Sequence, residues 1–193
     1  IQHSDAVVIG EAEGCWADVI NDFRKGNLQK FYHVPEPDLS KYPFPRRDFH
    51  IDKALFNCVG LLTTRGCPYA CEFCSVTDFY GRKIRHRPVS MVVEDIKQSG
   101  SKTFLILDDN VAGHPEYSKE LFEALIPLDI RWIGQSSISL ARDKEMLKLC
   151  RLSGCAALFF GLESVSPSSL MGMKKTLKSI EETEEAIKII EDN

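Results

Sequence analysis

From residue 57 onward, short apolar runs alternate with amphipathic stretches, and this alternation restricts the fold more than any other feature of the chain. The apolar runs at 57–64, 103–107, 130–137 and 156–162 read as strands, and the stretches at 89–99, 115–125, 144–152 and 179–191 read as helices. Each helical stretch carries apolar residues at three- and four-residue spacing; Val92 and Ile96 do so ahead of Gly100, a natural helix terminator. The last three strands begin about 26 residues apart, the length of one βα unit, and their near-continuous apolar content suits strands covered on both faces. The expected class is α/β with a parallel sheet, either doubly wound or a sector of a barrel. Four strands cannot close a barrel, and the last helix runs to Asn193 with no strand after it, so the chain is expected to be truncated.

In either architecture, chemistry gathers at the carboxyl ends of the strands. Those ends read Thr64-Arg65-Gly66-Cys67, Asp108-Asp109-Asn110, Gln135-Ser136-Ser137 and Gly161-Leu162-Glu163-Ser164. All are polar, and the first leads into Cys67, Cys71 and Cys74, spaced Cys-x3-Cys-x2-Cys. Soft thiolates at this density select zinc, copper(I) or iron–sulfur. Structural zinc wants four protein ligands, typically as two paired sets, and no second pair is present. Cys150 and Cys155 read as core residues instead. Three thiolates suit a four-iron cluster that leaves one iron open to a chelating small molecule.

The other features narrow the field. Seven cysteines, an odd number, in 193 residues argue against a secreted disulfide framework and for a reducing cytoplasm. A formal net charge of −4 with mixed signs gives no footprint for double-stranded DNA. No apolar run approaches the ~18 residues of a membrane span. The basic run Arg82, Lys83, Arg85 and Arg87 reads either as a solvated loop or as a bidentate partner for a substrate or cofactor anion. The five histidines show no ligand spacing, and Trp16 and Phe23 read as helix-core residues.

The stretch Arg65-Gly66-Cys67-Pro68-Tyr69-Ala70-Cys71-Glu72-Phe73-Cys74 resembles the cluster loop of radical S-adenosylmethionine (SAM) enzymes, including the aromatic Phe73 before the third cysteine. That resemblance implies a partial (β/α) barrel of the radical SAM type, with about four of six βα units spanning residues 51–193. It also implies a [4Fe-4S] cluster on Cys67, Cys71 and Cys74, whose open iron binds SAM and whose electron cleaves the sulfonium to a 5′-deoxyadenosyl radical. Asp108, Asp109 and Asn110 stand where the family places a small acidic motif near the methionine amino group, although its common Gly-Gly-Glu is absent. Gln135, Ser137, Glu163 and Ser164 are similar to positions that contact the ribose and amino acid parts of SAM. For Glu163 the alternative is a rim salt bridge to Lys174, Lys175 or an arginine.

The opening Asp5-Ala6-Val7-Val8-Ile9-Gly10-Glu11-Ala12-Glu13, with Trp16, Asp22-Phe23 and Gly26-Asn27-Leu28, resembles the last strand and helix of the Rossmann-like cobalamin-binding domain of one subfamily. Residues 1–32 are then the tail of that domain, with Gly10 leaving room beside cobalamin, and 33–50, holding Pro35, Pro37, Pro43 and Pro45, a linker. The implied activity is hydrogen abstraction from a small-molecule substrate for cobalamin-dependent methylation, with flavodoxin or ferredoxin as electron donor. The alternatives are a methylthiotransferase and a non-catalytic zinc-binding interaction module.

Overall fold

The computed structural model describes residues 3–47, 58–172 and 179–192, so the start of the first predicted barrel strand, the end of the predicted linker, and Lys174 and Lys175 lie outside the described residues. The chain divides into two units, Ile1–Pro43 and Phe44–Asn193. The division falls within the proline-rich stretch.

In the first unit, β1 (Val7–Ile9) leads through a 3-10 turn to α1 (Trp16–Lys25), and β2 (Phe31–His33) returns parallel to β1. α1 ends at Gly26, which adopts a left-handed φ of 72° and returns its N–H to the Asp22 and Phe23 carbonyls. Tyr32 is buried beneath it, donating to Asp22 Oδ2 at 2.9 Å and accepting from the Gln29 N–H at 3.0 Å. Two sequence expectations change here. β2 is a strand that was not expected, spanning the last two residues of the predicted domain tail and the first of the predicted linker, and the apolar face of α1 exists but is not a core: Trp16 is 55% and Phe23 71% exposed. One helix on two three-residue strands has too little surface to cover such side chains.

The second unit opens its parallel sheet with β3 (Val59–Leu61). β4 (Thr64–Arg65), the cysteine loop, α2 (Ser75–Tyr80) and β5 (Arg85–His86) follow, with β4 and β5 paired antiparallel. Next come α3 (Val89–Ser99), β6 (Thr103–Ile106), α4 (Pro115–Leu125), β7 (Arg131–Gln135), α5 (Lys144–Leu152), β8 (Cys155–Phe159), α6 (Pro167–Gly172) and α7 (Ile180–Glu191). The sheet runs in order β3-β6-β7-β8, every pairing parallel, so neighbours in sequence along the βα units are neighbours in space. Between Trp132 and Ile133 the register slips: Trp132 pairs with Cys155 but Ile133 with Ala157.

The helices start and stop where local chemistry directs. Pro115 opens α4 behind His114, whose Nδ1 accepts from the Tyr117 N–H at 3.3 Å. Asp143 caps α5 through the Met146 N–H at 2.9 Å, and Ser179 caps α7 through the Glu182 N–H at 3.2 Å. Between α5 and β8, Gly154 has φ 92°, and a Cβ there would lie 1.9 Å from the Ile130 carbonyl oxygen, so no side chain fits.

One layer of core joins helices and sheet. Phe104, Ile106 and Trp132 from the strands meet Val92 and Ile96 of α3, Leu121, Phe122 and Leu125 of α4, and Met146 of α5. Trp132 stacks on Phe122 with ring centroids 5.2 Å apart and gives its indole N–H to Ser153. Each such ring contributes roughly 3–5 kcal/mol against truncation to alanine. The opposite sheet face is more open, with Leu105, Leu107 and Phe159 exposed.

Ion pairing anchors the segment before β3. Asp95 of α3, fully buried, takes Arg87 Nη1 at 3.0 Å and both terminal nitrogens of Arg47. Arg87 also lies over the Phe44 ring at 5.3 Å. The last arginine of the basic run is thus an internal structural cation. A solvated loop describes Arg82 and Lys83, which are exposed, but not Arg87.

Candidate active site

The cysteine loop leaves β4 through Gly66. Its φ of 95° belongs to glycine, and a Cβ would meet the Lys83 carbonyl oxygen at 2.8 Å, so the close approach of β4 and β5 and the exit direction of Cys67 depend on this residue. Beyond it, the loop is tied down at Tyr69. The Tyr69 hydroxyl bonds Ser139 Oγ at 2.7 Å, Ser139 donates to Ser137 Oγ at 3.0 Å, and the Tyr69 carbonyl accepts from Thr77 Oγ1 at 3.1 Å. The Cys74 N–H closes the loop on the Cys71 carbonyl at 3.1 Å just before α2 begins.

Cys67, Cys71 and Cys74 line one cavity of about 400 Å³ at the carboxyl end of the sheet. Of the other candidates, Phe73, Asp109, Asn110, Gln135, Ser137 and Glu163 line the same cavity. Every strand end named from the sequence therefore contributes to one site, as the rule for parallel sheets requires.

Asp108, Ser164 and Gly10 do not line it. Asp108 is fully buried and turned to the strand beside it, accepting from the Thr63 N–H at 2.7 Å, from the Thr64 hydroxyl at 2.9 Å and from the Thr63 hydroxyl. Alternation along the chain then sends Asp109 the other way, toward the cavity. Ser164 shapes a turn, its Oγ accepting from the Ser166 N–H at 3.0 Å. Gly10 belongs to the first unit, where its φ is 103° and a Cβ would sit 2.9 Å from the Val34 carbonyl oxygen. The room it leaves is taken by the chain's own backbone rather than kept for a ligand.

Glu163 is exposed at the rim, and its φ of 66° is in the left-handed region that few non-glycine residues adopt. Sequence reasoning missed Tyr69, Ser136 and the apolar wall of Phe159, Phe160 and Leu170. Tyr69 stood inside the cysteine motif and could have been singled out.

The electrostatics follow from partial enclosure. Burial pushes the Cys67 thiol up, and the neighbouring Cys74 and Cys71 add to the rise, while the Tyr69 N–H and the Asn110 side chain pull it down. Burial also raises the Asp109 carboxyl against the Gly66 N–H, which donates to it at 3.3 Å. Three thiols crowded by one another gain from a cationic group that takes their charge. Among the described residues no three His, Cys, Asp or Glu side chains converge on a single metal ion. A cluster asks for something different, one thiolate for each of three irons around a shared space, and three thiols on one cavity wall fit that requirement.

A sector of a parallel βα barrel with a thiol-lined cavity at the carboxyl ends of its strands defines the class. The family model described as the radical SAM superfamily matches residues 61–193, and the chain belongs to that superfamily. The chain is 29% identical over 185 residues to a bacteriochlorophyllide d C-12(1)-methyltransferase of Chlorobaculum tepidum, covering 90% of this chain and 40% of that protein. It is 32% identical over 167 residues to a cytidylyl-2-hydroxyethylphosphonate methyltransferase of Streptomyces wedmorensis, covering 81% of this chain and 31% of that one. The radical SAM methyltransferase TsrM of Kitasatospora setae, solved with cobalamin and a [4Fe-4S] cluster, shares the fold. The TM-score is 0.62 at 21% identity, over 70% of this chain and 29% of that one. The chain thus spans 40% or less of the length of these proteins. Among the described residues no helix is long and apolar enough to cross a membrane.

Proposed function

We propose that this chain carries the SAM-cleaving centre of a radical SAM methyltransferase acting on a small molecule. The observation that carries this reading is that Cys67, Cys71 and Cys74 share one cavity wall with Asp109, Gln135, Ser137 and Glu163, contributed by all four strand ends. Bound there, a [4Fe-4S] cluster and SAM supply one-electron cleavage of the sulfonium and a carbon radical able to take hydrogen from an unactivated carbon. The protein's own part is placement. The three thiolates hold the cluster, and Gly66 and Tyr69 fix the loop that presents them. Asp109, Gln135 and Ser137 offer acceptors and donors to the amino and hydroxyl groups of SAM, with Glu163 at the mouth. Phe73, Phe159 and Phe160 line the cavity with apolar surface.

Methylation is supported by the relatives, two of them methyltransferases by name. Cobalamin as methyl carrier rests on the resemblance of residues 5–28 and on the ligand of the TsrM structure. Gly10 does not fit as a cobalamin contact, since the Val34 carbonyl already fills the space beside it. A flavodoxin- or ferredoxin-like protein is the proposed electron donor, and the cytoplasm the proposed location.

Anaerobic reconstitution of this chain with iron and sulfide tests the reading. Binding of ~4 iron per chain, with a reduced-cluster spectrum that shifts on addition of SAM, is the expected result. Stoichiometric zinc with no response to SAM, or a full cluster in Cys71→Ala, would refute it.

A further inference from the structure

The segment that holds the three cysteines is also a positive part of a negative chain. Residues 65–87 carry five of the 24 Lys and Arg but two of the 28 Asp and Glu, Glu72 and Asp78, while the net charge of the whole is −4. Part of this charge is taken up inside. Arg87 pairs with buried Asp95, and the Arg85 guanidinium lies over the Tyr80 ring at 5.9 Å. Arg82 and Lys83 are exposed, on the turn between α2 and β5. Three residues before Arg82 stands Phe79, 59% exposed, with its ring edge-on to Tyr80 at 4.8 Å. An exposed ring beside two cations has the composition of a protein-docking patch, in which the aromatic anchors and the charges steer.

This patch is tied to the cysteine loop at both of the loop's ends. At the entry, the Lys83 and Gly81 carbonyl oxygens lie 2.8 and 3.5 Å from where a Cβ on Gly66 would be, one residue before Cys67. At the exit, Cys74 is the residue from which α2 starts, and its six residues span only about 9 Å before the turn. Thr77 of α2 adds a third tie, donating from Oγ1 to the Tyr69 carbonyl at 3.1 Å.

We propose that Phe79, Arg82 and Lys83 form the docking surface for an acidic one-electron carrier protein. The inference rests on the cluster assignment to Cys67, Cys71 and Cys74. One electron leaves the carrier's reduced centre and enters the cluster, and no bond forms or breaks. A folded protein cannot enter a cavity of about 400 Å³, so the carrier approaches from outside, and electron transfer weakens steeply with distance. The surface nearest the loop that is both apolar and cationic is the one such a carrier needs. The rest of the chain is net negative and repels an acidic partner, so the sign of the charge selects the orientation.

The test starts with the reconstituted wild-type chain and dithionite. Absence of a four-iron cluster, or a cluster that dithionite does not reduce, would overturn the cluster assignment and the docking inference with it. Given a reducible cluster, binding of an acidic flavodoxin and of an acidic ferredoxin is measured by calorimetry, and cluster reduction by each carrier by stopped flow, at low and at high salt. Binding of at least one carrier is expected, weakening as salt rises. Arg82→Glu together with Lys83→Glu should slow reduction by that carrier about tenfold or more at low salt, with iron content and the extent of reduction by dithionite as in wild type. Phe79→Ala should weaken binding at low and high salt alike, since it removes contact area and no charge. Failure of both carriers to bind, a charge-reversed chain reduced at the wild-type rate, or unchanged affinity in Phe79→Ala would overturn the proposal while leaving the cluster assignment standing. Tighter binding of a single-stranded RNA than of either carrier would overturn it too, since the patch would then read phosphates.

Discussion

The carboxylate of Asp108 is held by Thr63, 45 residues earlier in the chain, whose backbone N–H reaches it at 2.7 Å. This bond ties the end of β6 to the segment that enters the cysteine loop, while the adjacent Asp109 faces the cavity. Two neighbouring acids thus divide into a structural clamp and a site group.

Burial raises the Asp108 carboxyl above its ordinary value, against the Thr63 and Thr64 donors that pull it down. A raised folded-state value means that the protonated form is the one favoured by folding. The stability linked to this group is full below the unfolded-state value of about 3.9 and is lost as pH rises through the folded-state value. Asp108→Asn removes the titration and keeps an acceptor for the Thr63 N–H. Urea unfolding should show the variant gaining on wild type as the pH rises above about 4. A constant difference across that range would contradict the assignment. Asp108→Ala, by contrast, leaves buried donors without an acceptor and should cost about 1–3 kcal/mol where the carboxyl is protonated, a cost that shrinks with rising pH by the same linkage.

Asp95 is shared by Arg47 and Arg87, with its own side chain fully buried. Asp95→Ala strands two cations on one carboxylate's former place and should destabilise the protein by about 3–5 kcal/mol in chemical denaturation. Arg87→Met in the same background should recover part of that loss, since it removes a buried charge that no longer has a counter-ion. A double variant no more stable than Asp95→Ala would show that Arg87 is paired elsewhere.

Gly66→Ala is expected to spare the fold and damage the site. The methyl group would press on the Lys83 carbonyl at a φ of 95°, and the strain falls at the entry to Cys67. The helical circular dichroism should match wild type while iron retained after reconstitution drops severalfold. Full iron retention would mean that the loop relaxes around the methyl group.

The thiols should separate by reactivity in the metal-free chain. Cys155 is pushed up to about 11 by burial, and Cys150 is raised further for the same reason, whereas Cys58 is exposed. At pH 8 a thiol of that kind is roughly one part in a thousand thiolate. Alkylation with iodoacetamide followed by peptide mass mapping should modify Cys58 first. Labelling of Cys155 should rise about tenfold per pH unit up to its titration. Early modification of Cys150 would mean that α5 opens readily.

The parts of the fold legible in the sequence were those set by local chemistry. α3 and α4 have the predicted bounds because Gly100 ends one and Pro115 opens the other. The strands came out shorter than their apolar runs, since pairing stops where the backbone bends toward the site, and the first run breaks into β3 and β4 in different sheets. β2 went unread because a run of three residues, Phe31–His33, gives too brief a pattern to tell from loop. For the site, the three cysteines and the polar strand ends were legible because parallel sheets collect their loops at one end. What separates Asp108 from Asp109 was not, because either register of a strand end satisfies the same pattern and only Thr63 decides between them. The pairing of Arg47 and Arg87 with Asp95 was likewise invisible, as its partners lie 48 and 8 residues away with no periodicity to link them.

The slip between Trp132 and Ile133 has a cost-free effect on composition and a large one on geometry. β8 advances two residues, from Cys155 to Ala157, while β7 advances one. Ala156 is the surplus residue. By absorbing that step it turns Phe159 alongside Gln135, so the ring lands on the wall of the thiol-bearing chamber. An even register, with Ala156 set against Ile133, would leave the amino-acid inventory untouched, yet it would bring Leu158 alongside Gln135, swing the phenyl group toward the helices and strip that chamber of part of its oily lining.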